Sequence, residues 1–419
     1  MKRITLLLKN ARQLLTLSSD KKAPRRSREM EELGLIEDGA VAVSGKKIVA
    51  VGKTKDVLAK VKIDRKTKII NSEDKVVLPG FVDCHTHPIF GATREEEFEL
   101  RVKGKTYEEI AKAGGGIRSS VRSLRELSKA ELIELALPRL DRFLSFGTTT
   151  IEAKSGYGLS LKDEIKILEV IKKLDQIHPL DLIPTFLGAH EIPDEYIDKR
   201  EEYIDFLINQ MIPEVAKRKL ALFCDVFCEK NVFSLEESKK IMETAKRYGL
   251  KPRLHADQLS SLGGAELAGE VGAISADHLE YISDSGIEKM KECGTIAVLL
   301  PGSVFGLGKD NYPPARKMIN KGLPVALATD FNPGSSFTES MPIILSLACL
   351  KMKLTPAEAI TAATVNSAYA IDRGDSIGSL EKGKKADMVI WDIKNYKEIP
   401  YHYGVNLVDK VIKNGEMIR

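Results

Sequence analysis

The 419-residue sequence has no apolar run long enough to span a bilayer. Its opening, MKRITLLLKNARQLLTL, is interrupted by Lys9, Arg12 and Gln13, and no small-residue cleavage site follows. A cytoplasmic chain without a membrane partner is therefore expected. No sign of charge dominates either: 64 basic and 60 acidic residues leave a net +4, without the basic excess that nucleic-acid binding requires. The five cysteines (Cys84, Cys224, Cys228, Cys293 and Cys349) are odd in number and lack the clustered pairs of a structural zinc site, so reduced thiols are expected. Internal repeats and low-complexity tracts are also missing. The loop AGGGIRSS (113–120) lacks the lysine of a phosphate loop and follows no evident strand, which weakens a nucleotide reading. The charged stretch KKAPRRSREMEELG (21–34) reads as a solvated or mobile loop.

What is present has two textures. DGAVAVSGKKIVAVGK (38–53) is a pair of β-branched runs around a Ser-Gly turn, and GSLEKGKKADMVIWDI with VDKVIKNGEMIR repeats that style at the other end. Neither end alone has enough strands to be stable, so the two are expected to combine into one small β-domain. Between them, short apolar strands such as TTTIEA, LALFCDVF and TIAVLL alternate with amphipathic helical stretches such as LKDEIKILEVIKKLDQI. That alternation indicates parallel βα units, and about eight of them predict a closed (β/α)₈ barrel of the TIM type rather than an open doubly wound sheet. The expected division is 1–77 and 369–419 for the composite β-sandwich, and 78–368 for the barrel.

In such a barrel chemistry sits at the C-terminal ends of the strands. Five of the seven histidines fall where apolar strands stop: His85 and His87 in PGFVDCHTH, His190 in PTFLGAH, His255 in PRLHAD and His278 in ISADH; Asp330 ends PVALATD. Any one of these has an ordinary reading as a hydrogen-bonded loop or core residue, but the coincidence of all five favours a common purpose. His85 and His87 share one face of an extended segment. With His255 and Asp330 they form a set of neutral imidazoles and a carboxylate suited to one divalent ion of the zinc or iron type, which makes water more acidic. His278 is the candidate to move protons, with Asp330 assisting.

These residues resemble the amidohydrolase superfamily, whose members combine a metal-dependent (β/α)₈ barrel with a β-sandwich from both termini. Within it, GATREEEFELRVKGKTYEEIAKAGGGI, EAKSGYGL, FLGAHEIP, LHADQLS and ATDFNPGSS, in this order, are closely similar to the imidazolonepropionase family. The resemblance implies metal ligation by His85, His87, His255 and Asp330, and substrate contacts from Arg94, Tyr157, His190, Gln258, Asn332, Gly334 and Ser335, with Tyr107 and Gly114–Gly116 bordering the site. It implies hydrolysis of the cyclic amide of 4-imidazolone-5-propanoate to N-formimidoyl-L-glutamate, with His190 or His278 stabilising the oxyanion, and a homodimer. The alternative is another cyclic amidase or an aminohydrolase. Arg94 offers a planar fork suited to a carboxylate, and Gln258 replaces a glutamate that related deaminases use as a proton donor, a task an amide cannot perform. Lys154 ends a strand where some superfamily members carry a bridging, carboxylated lysine; here a supporting role beside a single metal is expected.

Overall fold

The computed structural model describes residues 2–105, 109 and 114–419. Eight parallel strands form its centre in strict sequence order: β1 (Phe81–Asp83), β2 (Thr148–Lys154), β3 (Asp181–Ala189), β4 (Phe223–Cys228), β5 (Lys251–Ala256), β6 (Ser275–His278), β7 (Ile296–Leu299) and β8 (Val325–Leu327). The ring is closed just beyond the ends of β8 and β1, where Thr86 bridges Phe331 in parallel and His87 N–H donates to Phe331 O at 2.8 Å. The expected barrel is thus observed. β2, β4, β6 and β7 are buried at every position, as near-continuous apolar runs require when helices cover one side and the barrel interior the other.

The connecting helices begin where side chains can cap them. Ser128, Ser234 and Thr355 each accept from the third residue's N–H while Glu131, Glu237 and Glu358 return to the cap. The helix Asp284–Cys293 starts at Ser283 and stops at Gly294, whose φ of 78° suits a residue without a Cβ.

Strands from both chain ends share a six-stranded sheet: Leu35–Ile36, Gln13–Leu15, Val76–Pro79, Met388–Trp391, Val408–Lys413 and Glu416–Met417. A four-stranded sheet of Lys47–Lys53, Gly39–Ser44, Leu6–Ala11 and Lys68–Asn71 faces it. The alternation along Met388–Trp391 shows how one strand serves two cores. Met388 and Ile390 join Leu6, Val41 and Val43 between the sheets, while Val389 and Trp391 enter the barrel's core, where the Trp391 ring meets Phe81 edge-on at 5.6 Å.

One expectation is corrected. Residues 21–34 are not a free loop: Arg25 and Met30 are buried, and Ser27–Glu31 form a short 3₁₀ turn. Arg25 N–H donates to Asn366 Oδ1 at 2.7 Å, its guanidinium reaches Leu17 O at 2.7 Å, and Ser27 Oγ donates to Ile319 O. A charged composition conceals this docking because the partners are main-chain carbonyls and an amide far along the chain.

Candidate active site

All six strand-end residues singled out by the sequence converge at one mouth of the barrel. β1 ends at Asp83 and the chain stays extended, so Thr86 points away into the wall, its Oγ1 donating to Glu152 O at 2.6 Å, while His85 and His87 turn inward with ring centroids 5.3 Å apart. His255 lies in β5, its ring 4.5 Å from that of His85. His85, His87 and Asp330 form one potential metal-binding group and His85, His255 and His278 another, so His85 belongs to both. Asp330 Oδ1 lies 3.4 Å from His85 Nε2 and 3.5 Å from His87 Nε2.

The imidazoles are held ready for a cation. His85 Nδ1 donates to Asp277 at 2.6 Å and His255 Nδ1 to Asp225 at 3.1 Å, which leaves each Nε2 with its lone pair directed inward. His85 Nε2 is buried without a hydrogen-bond partner, an arrangement that is costly unless a ligand completes it. Burial, reinforced by the neighbouring cationic groups, pushes the titration of His85 and His87 well below the ordinary histidine range, and burial also lowers that of His255 against the pull of Asp225. Neutral imidazole is the form that binds metal, so the residues fit the implied divalent ion. Asp330 is raised to about 6, chiefly by burial.

His278 differs. Burial, the largest single influence, disfavours its charged form, but Glu280, whose Oε1 lies 3.6 Å from Nδ1, together with Asp330 and Asp277 outweighs that and raises its pKa. The backbone is unusual here: His278, Leu279 and Asp330 adopt φ of 81°, 70° and 53°. Such left-handed conformations of non-glycine residues are costly and cluster at functional sites.

The mouth opens into a cavity of about 470 Å³, to which Arg94, Tyr157, His190, Gln258, Asn332, Gly334 and Ser335 all contribute. Buried carboxylates shape its loops. Glu164 accepts from Gly156, Gly158 and Leu159 N–H, fixing the turn that presents Tyr157. Glu229 accepts from Leu259 N–H at 2.7 Å, and Asp257 from Gly263, Gly264 and Ala265, clamping the loop that carries Gln258. Asn332 Oδ1 accepts from Gly334 and Ser335 N–H at 2.8 Å each, so this side chain builds the turn after Asp330. Arg94 donates to Glu97 at 2.6 Å, and Glu97 in turn accepts from Gly116 N–H; Arg94 Nε is buried and unbonded. Tyr107 lies outside the described residues.

His190 stacks on His87 with centroids 5.3 Å apart, and its Nδ1 donates to Gly156 O at 2.9 Å. Burial lowers its pKa to about 3. The neutral ring therefore offers Nε2 only as an acceptor, so oxyanion stabilisation by His190 is set aside. Lys154 sits at the end of β2, fully enclosed, with Nζ bonded to Glu152 and Asp225; this arrangement suits support of the site better than metal bridging.

Sequence reasoning missed Arg101 and Lys309, which also line the cavity and have no ion-pair partner among the described residues. Arg101 was within reach: it lies seven residues beyond Arg94 along the helix Glu95–Val102, hence on the same face. Lys309 follows a short turn and carries no comparable signal. A larger, more open depression of about 660 Å³ beside the terminal sheets is lined by residues such as Arg12, Asp38 and Asp74 and holds no histidine or cysteine.

The model of the amidohydrolase family matches residues 76–418. The chain is 50% identical to the imidazolonepropionase of Geobacillus kaustophilus (strain HTA426) over 415 residues, covering 99% of this chain and 97% of that protein. It is 48% identical to that of Alkaliphilus metalliredigens (strain QYMF), covering 99% and 98%. Among solved structures, the guanine deaminase of E. coli superposes with a TM-score of 0.74 at 16% identity, covering 99% of this chain and 98% of that one. An adenosine deaminase from Xanthomonas campestris with bound zinc gives 0.70 at 18%, covering 99% and 93%. At these identities the structural likenesses speak for the fold alone.

Proposed function

The chain belongs to the amidohydrolase family and, within it, to the imidazolonepropionases, and from that premise we infer how this site opens the ring of 4-imidazolone-5-propanoate. Water adds across the ring amide: a C–O bond forms at the carbonyl carbon, the C–N bond breaks, and the ring nitrogen takes a proton, giving N-formimidoyl-L-glutamate. The observation that carries the reading is the convergence, in one cavity, of the inward-facing histidines and Asp330 with Arg94.

We propose that His85, His87, His255 and Asp330 hold one divalent ion, zinc or iron, the ions suited to a set of three imidazoles and a carboxylate. When bound, such an ion supplies Lewis acidity and generates a nucleophile near neutral pH. The remaining tasks fall to side chains. Arg94 receives the propanoate through its planar fork, with Glu97 keeping it extended. His278 takes the proton from the attacking water and returns it to the departing ring nitrogen, and Glu280 sets its ring. His190 Nε2, an acceptor only, receives a ring N–H, and Tyr157 and Gln258 close over the heterocycle. Ser335, whose Oγ is 3.5 Å from Asp330 Oδ2, steadies that carboxylate. An amide at Gln258 exchanges no catalytic proton, which weighs against an aminohydrolase. Family membership also supports a homodimer acting in the cytoplasm. No helix of the described residues is long and apolar enough to cross a membrane.

The test is an ultraviolet assay of the loss of imidazolonepropionate beside a panel of other cyclic amides and aminated heterocycles. Turnover confined to imidazolonepropionate is expected. Preference for another ring would overturn the substrate assignment while leaving the metal reading open to its own test.

A further inference from the structure

Beneath the proposed ligands lies a layer of five charged side chains: Glu152 and Lys154 of β2, Asp225 of β4, Arg253 of β5 and Asp277 of β6, each no more than 1% exposed. They share the interior because strand residues two apart face the same way: Glu152 with Lys154, and Arg253 with the ligand His255. Barrel interiors are ordinarily filled by branched apolar side chains, and a buried ionic cluster contributes less to stability than a well-packed apolar one. The layer therefore calls for a purpose.

Its connections supply one. Lys154 Nζ donates to Glu152 Oε1 at 2.8 Å and to Asp225 Oδ2 at 2.7 Å, and lies 3.8 Å from Asp277 Oδ2. Asp225 and Asp277 are the carboxylates that orient His255 and His85. Arg253 approaches Asp277 at 3.0 Å from the other side and is tied to Cys84 O and Ala370 O, each at 2.8 Å. A single ammonium thus touches both orienting groups, one by a direct bond and the other at close range. Three carboxylates against two cations leave the layer at −1; Asp330 brings the centre to −2, the charge a divalent ion offsets.

We propose that Lys154 is a positioning residue of the metal centre: its ammonium is the fixed counter-charge that keeps Asp225 and Asp277 in place behind the ligand histidines and matches the centre to a divalent cation. Without it the layer stands at −2 and the centre at −3, and among the described residues Asp225 is left with His255 as its only side-chain partner. This rests on the metal reading above, and binding of zinc alone, without substrate, tests it separately.

The protein is stripped of metal and its zinc affinity measured by competition with a chromophoric chelator, with folding of each metal-free variant checked by circular dichroism. Parent protein that takes up neither zinc nor ferrous iron contradicts the metal reading itself, and uptake of ferrous iron alone moves the same comparison to that ion. If the parent binds zinc, Lys154→Met is expected to bind at least about ten-fold more weakly, in the range of outer-shell substitutions. The double variant Glu152→Gln/Lys154→Met restores the layer to −1 and is expected to bind more tightly than the single variant, within about ten-fold of the parent. A folded Lys154→Met with less than that loss, or a double variant no tighter than the single one, overturns the proposal. Should Lys154→Met fail to fold, the double variant decides alone: affinity within that margin upholds the counter-charge, and a greater loss overturns it.

Discussion

Replacing Gly334 by alanine tests carboxylate recognition without touching Arg94 itself. A Cβ at position 334 would sit 2.9 Å from Arg94 Cζ and closer still to Nη1, so the guanidinium must move. The displaced group is the far end of a flexible side chain, and Gly334 is not among the glycines of positive φ. The fold should therefore change in stability by no more than about 1 kcal/mol. Binding is another matter. Arg94 is held between Glu97 at 2.6 Å and the turn after Asp330, and a shift breaks at least one arm of a two-armed contact with the propanoate. A hydrogen bond to a charged group contributes about 1.5–3 kcal/mol, and about 1.4 kcal/mol corresponds to a factor of ten. KM should rise roughly 10- to 150-fold with kcat nearly kept, the pattern of lost uniform binding. Steady-state kinetics with imidazolonepropionate, alongside thermal unfolding, reads both quantities. A folded alanine variant with the parent's KM, or one that loses kcat at constant KM, refutes the placement of the carboxylate against Arg94.

His278→Phe should lower kcat by about 10²- to 10⁴-fold, the usual contribution of a positioned acid–base group, while bound metal measured by elemental analysis stays at the parent's level; a variant turning over at the parent rate removes His278 from the mechanism. Arg101→Gln should raise KM and flatten the dependence of kcat/KM on ionic strength, because a cation at the cavity wall with no ion-pair partner among the described residues steers an anionic substrate through a screened field; an unaltered salt profile counts against steering. Asp181, bonded to Lys413 at 2.8 Å and Lys385 at 2.7 Å where the barrel meets the terminal sheet, has its pKa held below the ordinary 3.8 because these cations outweigh the opposing effect of burial. Its contribution is full above the unfolded value and is lost as pH falls through the folded one. The stability advantage of the parent over Asp181→Asn in urea should accordingly be pH-independent near neutrality and shrink below about pH 4; an advantage that grows on acidification contradicts the assignment.

The histidines proposed as ligands were legible because the period-two alternation of an extended chain is written directly in His-Thr-His, and because strand ends in an apolar sequence stand out. The charged layer beneath them was not read, although part of its signal was there: Asp225 interrupts the otherwise apolar FCDVFC, whereas Glu152 and Asp277 stand among the polar residues of TTTIEAK and SADH and are less conspicuous. The pairing of the terminal strands was beyond local pattern. Val76–Pro79 lies between Gln13–Leu15, which it pairs in parallel, and Met388–Trp391, antiparallel and more than three hundred residues away; hydrophobic texture marks such strands but not their partners. Docking of residues 21–34 escaped for the same reason, since Arg25 reaches main-chain carbonyls that no side-chain pattern announces.

Chelation and reconstitution test the central claim most directly. Protein stripped of metal and assayed with imidazolonepropionate should lose its turnover and recover it on addition of one equivalent of zinc or ferrous iron per chain, with His85→Ala/His87→Ala recovering none. Metal-free protein that hydrolyses the substrate at the full rate would contradict the account.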